Sequence, residues 1–76
     1  MSDALDLSGT EVAVLRAVHA EGPADLYALA QAVGTGPRTV QEAVQGLSQK
    51  DLVFVSDRGS TVRCTPDGEE VARAQA

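Results

Sequence analysis

At 76 residues with a single cysteine, the chain is expected to be one small domain that no internal disulfide staples. Packing, capping and hydrogen bonds must hold it, which suits a reducing cytoplasm. No apolar run approaches the roughly 20 residues of a membrane span, and the acidic start is not that of a signal peptide, so the expected location is cytoplasmic, with no membrane partner.

Residues 1–7 are expected to form a flexible tail and residues 8–76 the domain. Leu7-Ser8-Gly9-Thr10-Glu11-Val12 is a helix start. Ser8 caps, Glu11 reaches back, and Leu7 and Val12 occupy the positions of a hydrophobic staple. The first helix runs from about Gly9 to Ala20. Val12, Leu15 and Val18, with His19, recur at three-to-four spacing as its buried face, and Glu21-Gly22-Pro23 ends it. The second helix is expected over 24–33, with Asp25 in its first turn and Leu26, Leu29, Ala30 and Val33 as its stripe. Gly34-Thr35-Gly36 breaks it, and Pro37 suits the first position of a third helix that reaches about Lys50. Leu52-Val53-Phe54-Val55 reads as a strand, Asp57-Arg58-Gly59-Ser60 as a turn, and Thr61-Val62-Arg63-Cys64-Thr65 as a half-buried return strand. Thr65-Pro66-Asp67 opens a short last helix, with Glu69 and Glu70 in its first turn and Arg73 near its end, both suited to the helix dipole. The fold class is therefore mainly α with a small β-hairpin (α+β).

Ala30, Gly34 and Val40 carry the pattern of a helix-turn-helix: a small residue for close approach, a glycine for the turn, and an apolar residue that locks the next helix. Leu47-Ser48-Gln49-Lys50-Asp51-Leu52-Val53 looks like a recognition helix entering a wing. Val62-Arg63-Cys64-Thr65-Pro66-Asp67-Gly68 is similar to the wing's return strand and following helix in MarR-type regulators. TrmB-like winged helices match nearly as well. The resemblance covers residues 8 to 73. It implies a winged helix-turn-helix with a three-helix core, a wing and a short C-terminal helix, and sequence-specific binding of double-stranded DNA by a small transcriptional regulator. The wing is short and the long dimerisation helices of full MarR proteins are missing, so effector binding and dimer geometry do not carry over. A homodimer is a candidate assembly.

The third helix supports this reading independently. At about 100° per residue, Val40, Ala43, Val44 and Leu47 fall on one side. Arg38, Gln41, Glu42, Gln45 and Gln49 fall on the other, where arginine can bridge guanine, glutamine adenine, and glutamate can accept from cytosine. Thr39 and Ser48 flank that face, and Thr35 lies in the turn before it. Arg58 at the expected wing tip and Arg63 on the return strand are candidates for the DNA backbone. A solvated face with chance glutamines, and an ordinary turn arginine beside Asp57, are the plain alternatives.

The formal charge of −5 runs against the basic character common in nucleic-acid binders, but its distribution matters more. From Thr35 to Thr65, Arg38, Lys50, Arg58 and Arg63 outweigh Glu42, Asp51 and Asp57 by one. Elsewhere, Arg16 and Arg73 face eight acids. Lys50 is the only lysine. That composition fits either a GC-rich genome or a salty cytosol. The acidic total also keeps open a second reading, a winged-helix module that binds protein rather than DNA; such a module should show an apolar patch on the free side of helix 3. One histidine supports no nucleophile–base–acid set, and no metal-ligand spacing or phosphate-cradling glycine loop occurs. The chain is read as non-enzymatic, with no cofactor, no metal and no evident small-molecule ligand. Cys64 reads as a core thiol. Tyr27 and Phe54 are too few to form a stacking platform for single strands.

Overall fold

The structure, a computed structural model, describes residues 7–56 and 61–75. Its elements in chain order are α1 (Gly9–Glu21), α2 (Leu26–Val33), α3 (Pro37–Gln49), β1 (Val53–Ser56), β2 (Thr61–Cys64) and α4 (Pro66–Gln75). This is the expected α+β winged helix-turn-helix order. The expected tail lies outside the described residues except for Leu7, which is half-buried against the core.

The capping box opens α1 as expected. The Ser8 hydroxyl accepts from the Glu11 N–H at 3.1 Å, and the Ser8 N–H donates to Glu11 Oε1 at 3.0 Å. The buried residues of α1 are Val14, Leu15 and Val18. Val12 is only half-buried, and His19 is exposed rather than part of the core face. The helix packs against α2, α3, α4 and β2, so its buried surface is broader and turned further than one apolar stripe suggests.

The second helix starts later than its apolar pattern indicated. Asp25 is its N-cap rather than a first-turn residue, and Oδ1 accepts from the Ala28 N–H at 2.7 Å. Ala24 instead pairs with the wing: its N–H donates to the Val62 carbonyl at 3.0 Å, and the Val62 N–H returns to Ala24 O at 2.8 Å. That bridge ties the start of the helix-turn-helix to the middle of the hairpin. Gly34 ends α2 at φ 84°, ψ 33°, a left-handed conformation that glycine adopts without steric cost. Its N–H and that of Thr35 both donate to Ala30 O.

In α3, Val40, Ala43, Val44 and Leu47 are all buried, as expected. The helix ends in a Schellman motif: Leu52 N–H donates to Leu47 O at 3.0 Å and Asp51 N–H to Ser48 O at 3.0 Å. Asp51 takes the left-handed position at φ 61°, which aspartate tolerates better than most residues. β1 and β2 pair antiparallel, with Val53 opposite Cys64, Phe54 opposite Arg63, and Val55 opposite Val62. Val53 and Val62 turn into the core. Thr65 leaves the strand to hold the start of α4: its hydroxyl donates to Asp51 O at 2.7 Å and accepts from Gly68 N–H at 3.0 Å. No described helix is long and apolar enough to cross a membrane.

Candidate nucleic-acid interface

The free side of α3 is the surface that this packing leaves uncovered. Arg38, Gln41, Glu42, Gln45 and Gln49 are all exposed, as is Thr39 on the flank, whereas Thr35 in the turn is half-buried. The four buried residues of α3 occupy the opposite arc, and the free arc carries no apolar side chain. Gly36 caps α3 with no side-chain hydrogen bond, and Pro37 stands at its first position. The positive end of the helix dipole therefore opens beside Arg38 with no side chain of the N-cap residue bonded to it, an arrangement favourable to phosphate.

Arg63 is exposed on the outer face of the hairpin, where its guanidinium lies 5.4 Å from the centre of the Phe54 ring. This cross-strand cation–π pair gives the half-exposed aromatic a role that its sequence position did not reveal. Arg63 borders a cleft with His19, Gly22, Pro23 and Glu69 at the far end of α1, whereas Thr39 and Glu42 border another with Ser8, Thr10 and Glu11 at the near end. Arg58 lies outside the described residues.

Sequence reasoning missed a contact beside the face. Lys50 Nζ stands 3.6 Å from Glu11 Oε2, joining the end of α3 to the first turn of α1. Gly46 makes the room, since a Cβ there would collide with the Glu11 carboxylate. A Cβ at Gly46 would displace that carboxylate from its present seat rather than meet backbone. The capping box alone accounts for Glu11 in the sequence, and nothing local signals a partner 39 residues away. Cys64 is half-buried, and its thiol is pushed above the ordinary value, first by burial and then by the charge of Glu69. That favours the inert thiol over the reactive thiolate. Among the described residues no group of three or more histidine, cysteine or acidic side chains could hold a metal ion.

The architecture is that of a MarR-type winged helix-turn-helix domain, and solved structures bear the same fold. BpsR of Bordetella bronchiseptica, whose DNA binding is regulated by 6-hydroxynicotinic acid, is similar at TM-score 0.86 and 26% identity, over 95% of this chain and 54% of that one. The PcaV transcriptional regulator of Streptomyces coelicolor is similar at TM-score 0.78 and 29% identity, over 90% of this chain and 52% of that one. The MarR family transcriptional regulator SPO1453 of Silicibacter pomeroyi shares the fold at TM-score 0.76 and 24% identity, over 86% of this chain and 48% of that one. The chain belongs to the HVO_A0114 family, whose model matches residues 6–71. It spans about half the length of the structures it resembles. No curated protein matches it. SPO1453 and PcaV are described as transcriptional regulators, and BpsR as a protein whose DNA binding is regulated.

Proposed function

We propose that this domain binds double-stranded DNA sequence-specifically, as the DNA-reading part of a transcriptional regulator. The observation that carries the reading is the free arc of α3, where Arg38, Gln41, Glu42, Gln45 and Gln49 stand exposed with no apolar residue among them. A recognition helix needs such a set in the major groove. A protein-docking helix face would instead present apolar anchors, which disfavours the alternative that the net charge of −5 suggests. Arg38, Gln41, Glu42 and Gln45 face base edges in this reading. Gln49, Thr39 and Thr35 flank them. Arg58, in the connection between β1 and β2, and Arg63 on the outer wing contact the flanking backbone.

Base and backbone contacts separate in one experiment. Gln41→Ala is expected to cost about 1–3 kcal/mol on the preferred sequence and to relax preference at one base pair. Arg58→Ala is expected to weaken all sequences alike and to reduce the salt slope by about one, because one fewer phosphate is neutralised. Fluorescence anisotropy over a salt series reads both. If neither substitution changes binding to any duplex, α3 is not the reading head and the protein-binding reading takes its place.

Helix-turn-helix proteins often occupy paired half-sites about 34 Å apart as two-fold dimers. The segment before Ser8, α1 and α4 are the candidate dimer surfaces, and a weak dimer, or dimerisation on DNA, is expected through them. Sedimentation that shows one protomer per site on DNA, and a monomer at high concentration without it, would overturn this.

A further inference from the structure

Lys50 is the only lysine in a chain with few cations, and it sits at the C-cap of the proposed reading helix. A lysine beside a DNA-binding face normally serves as a sequence-independent phosphate contact. Here its ammonium is 3.6 Å from Glu11 Oε2, with the two side chains only 32% and 14% exposed. The carboxylate is held at both ends, because Oε1 accepts the Ser8 N–H. It cannot follow Lys50 outward without opening the capping box of α1. Gly46 clears the seat in which the carboxylate lies.

The position of this pair matters as much as its strength. At about 100° per residue, Thr39, Gly46 and Lys50 share one flank of α3, and Glu42 stands where that flank meets the free arc. The cleft between this flank and the first turn of α1 is bordered by Ser8, Thr10, Glu11, Thr39 and Glu42. The Glu11–Lys50 pair thus belongs to the rim of the surface proposed to meet DNA, next to where the duplex backbone would run.

We propose that Glu11 withholds Lys50 from DNA, so that the pair meets the phosphates as a neutral unit and discrimination rests on the base contacts of α3. This makes Glu11 a positioning residue that lowers sequence-independent attraction. The proposal rests on the DNA-binding reading above.

The test compares the wild-type chain, Glu11→Gln and the double variant Glu11→Gln with Lys50→Met. Each is titrated against a mixed-sequence duplex by fluorescence anisotropy over a salt series, and its melting temperature is recorded. The amide of Glu11→Gln still accepts the Ser8 N–H, so the capping box is kept. Glu11→Gln is expected to melt within a few degrees of wild type, to bind about tenfold more tightly at low salt, and to show a salt slope steeper by about one. The double variant, with both charges gone, is expected to return to the wild-type slope. An unchanged slope in Glu11→Gln overturns the proposal. So does a double variant whose slope falls about one below wild type, since Lys50 would then already contact a phosphate. Loss of the folded state in Glu11→Gln would show that the charge serves stability instead, and also overturns it. If none of the three proteins binds any duplex, the DNA-binding reading falls together with the proposal; binding by all three with equal slopes removes the proposal alone.

Discussion

Val40→Asp is expected to leave the chain unfolded at neutral pH. Val40 is 0% exposed. It lies in one cluster with Val14, Leu15 and Val18 of α1, Leu29 and Ala30 of α2, and Ala43, Val44 and Leu47 of its own helix. No polar or charged side chain is buried among the described residues, so a carboxylate there meets no donor and no counter-charge. Burying it unpaired costs several kcal/mol, against a total stability of about 5–10 kcal/mol for a small domain. The sign of the pH dependence follows. A carboxyl kept in this site would have its folded-state pKa raised, so its neutral form is tolerated at acid pH and stability is lost as pH rises through the carboxylate range. Circular dichroism should show an unfolded chain at neutral pH and the smallest deficit relative to wild type under mildly acidic conditions. Gln41→Asp, one residue along and exposed, should remain folded. An unchanged melting temperature in Val40→Asp would mean that the register of α3 is wrong.

That register was legible because α3 has a sharp division of labour. Val40, Ala43, Val44 and Leu47 repeat at helical spacing, the polar residues fill the opposite arc, and Pro37 fixes the start. The first turns of α1 and α3 were legible for the same reason: capping residues and proline act within a few residues of themselves. What the sequence did not disclose depends on partners far along the chain. Ala24 read as helical, but an extended bridge to Val62 claims it, and a one-residue bridge leaves no periodic trace. His19 fell on the expected core side of α1 but is exposed, because a helix with four neighbouring elements does not bury a single predictable stripe. Asp51 occupies a left-handed position where glycine would have advertised the end of α3. In the interface, the α3 residues were found by pattern, whereas the stacking of Arg63 over Phe54 and the claim of Glu11 on Lys50 arise only when distant stretches of the chain are brought together.

Gly68→Ala is expected to be strongly destabilising for a change of one methyl group. Gly68 is buried in the first turn of α4, and a Cβ there would run into the backbone carbonyl of Leu52. Leu52 O also accepts the Thr65 N–H at 3.1 Å, while the Thr65 hydroxyl joins Asp51 O to Gly68 N–H. The start of α4 is therefore fixed by backbone contacts to the loop between α3 and β1, with no flexible side chain to yield. Accommodating the methyl requires α4 to move off this loop, which disturbs its packing on α1 and the burial of Ala72. Overpacking of this kind costs about 1–3 kcal/mol, and a backbone obstacle puts the value at the upper end. The better helix propensity of alanine returns at most about 1 kcal/mol. A net loss of about 2 kcal/mol corresponds to a fall of about 8–16 °C in melting temperature for a domain of this size. Gly9→Ala supplies the comparison: it also adds one methyl near the start of a helix, but nothing lies within 4 Å of that position, so its stability should change by no more than about 0.5 kcal/mol. Equal melting temperatures for the two variants would show that α4 is not seated against Leu52. The expected separation would show that this glycine, which in sequence looked like part of a wing-to-helix motif, is required because two stretches of backbone meet there.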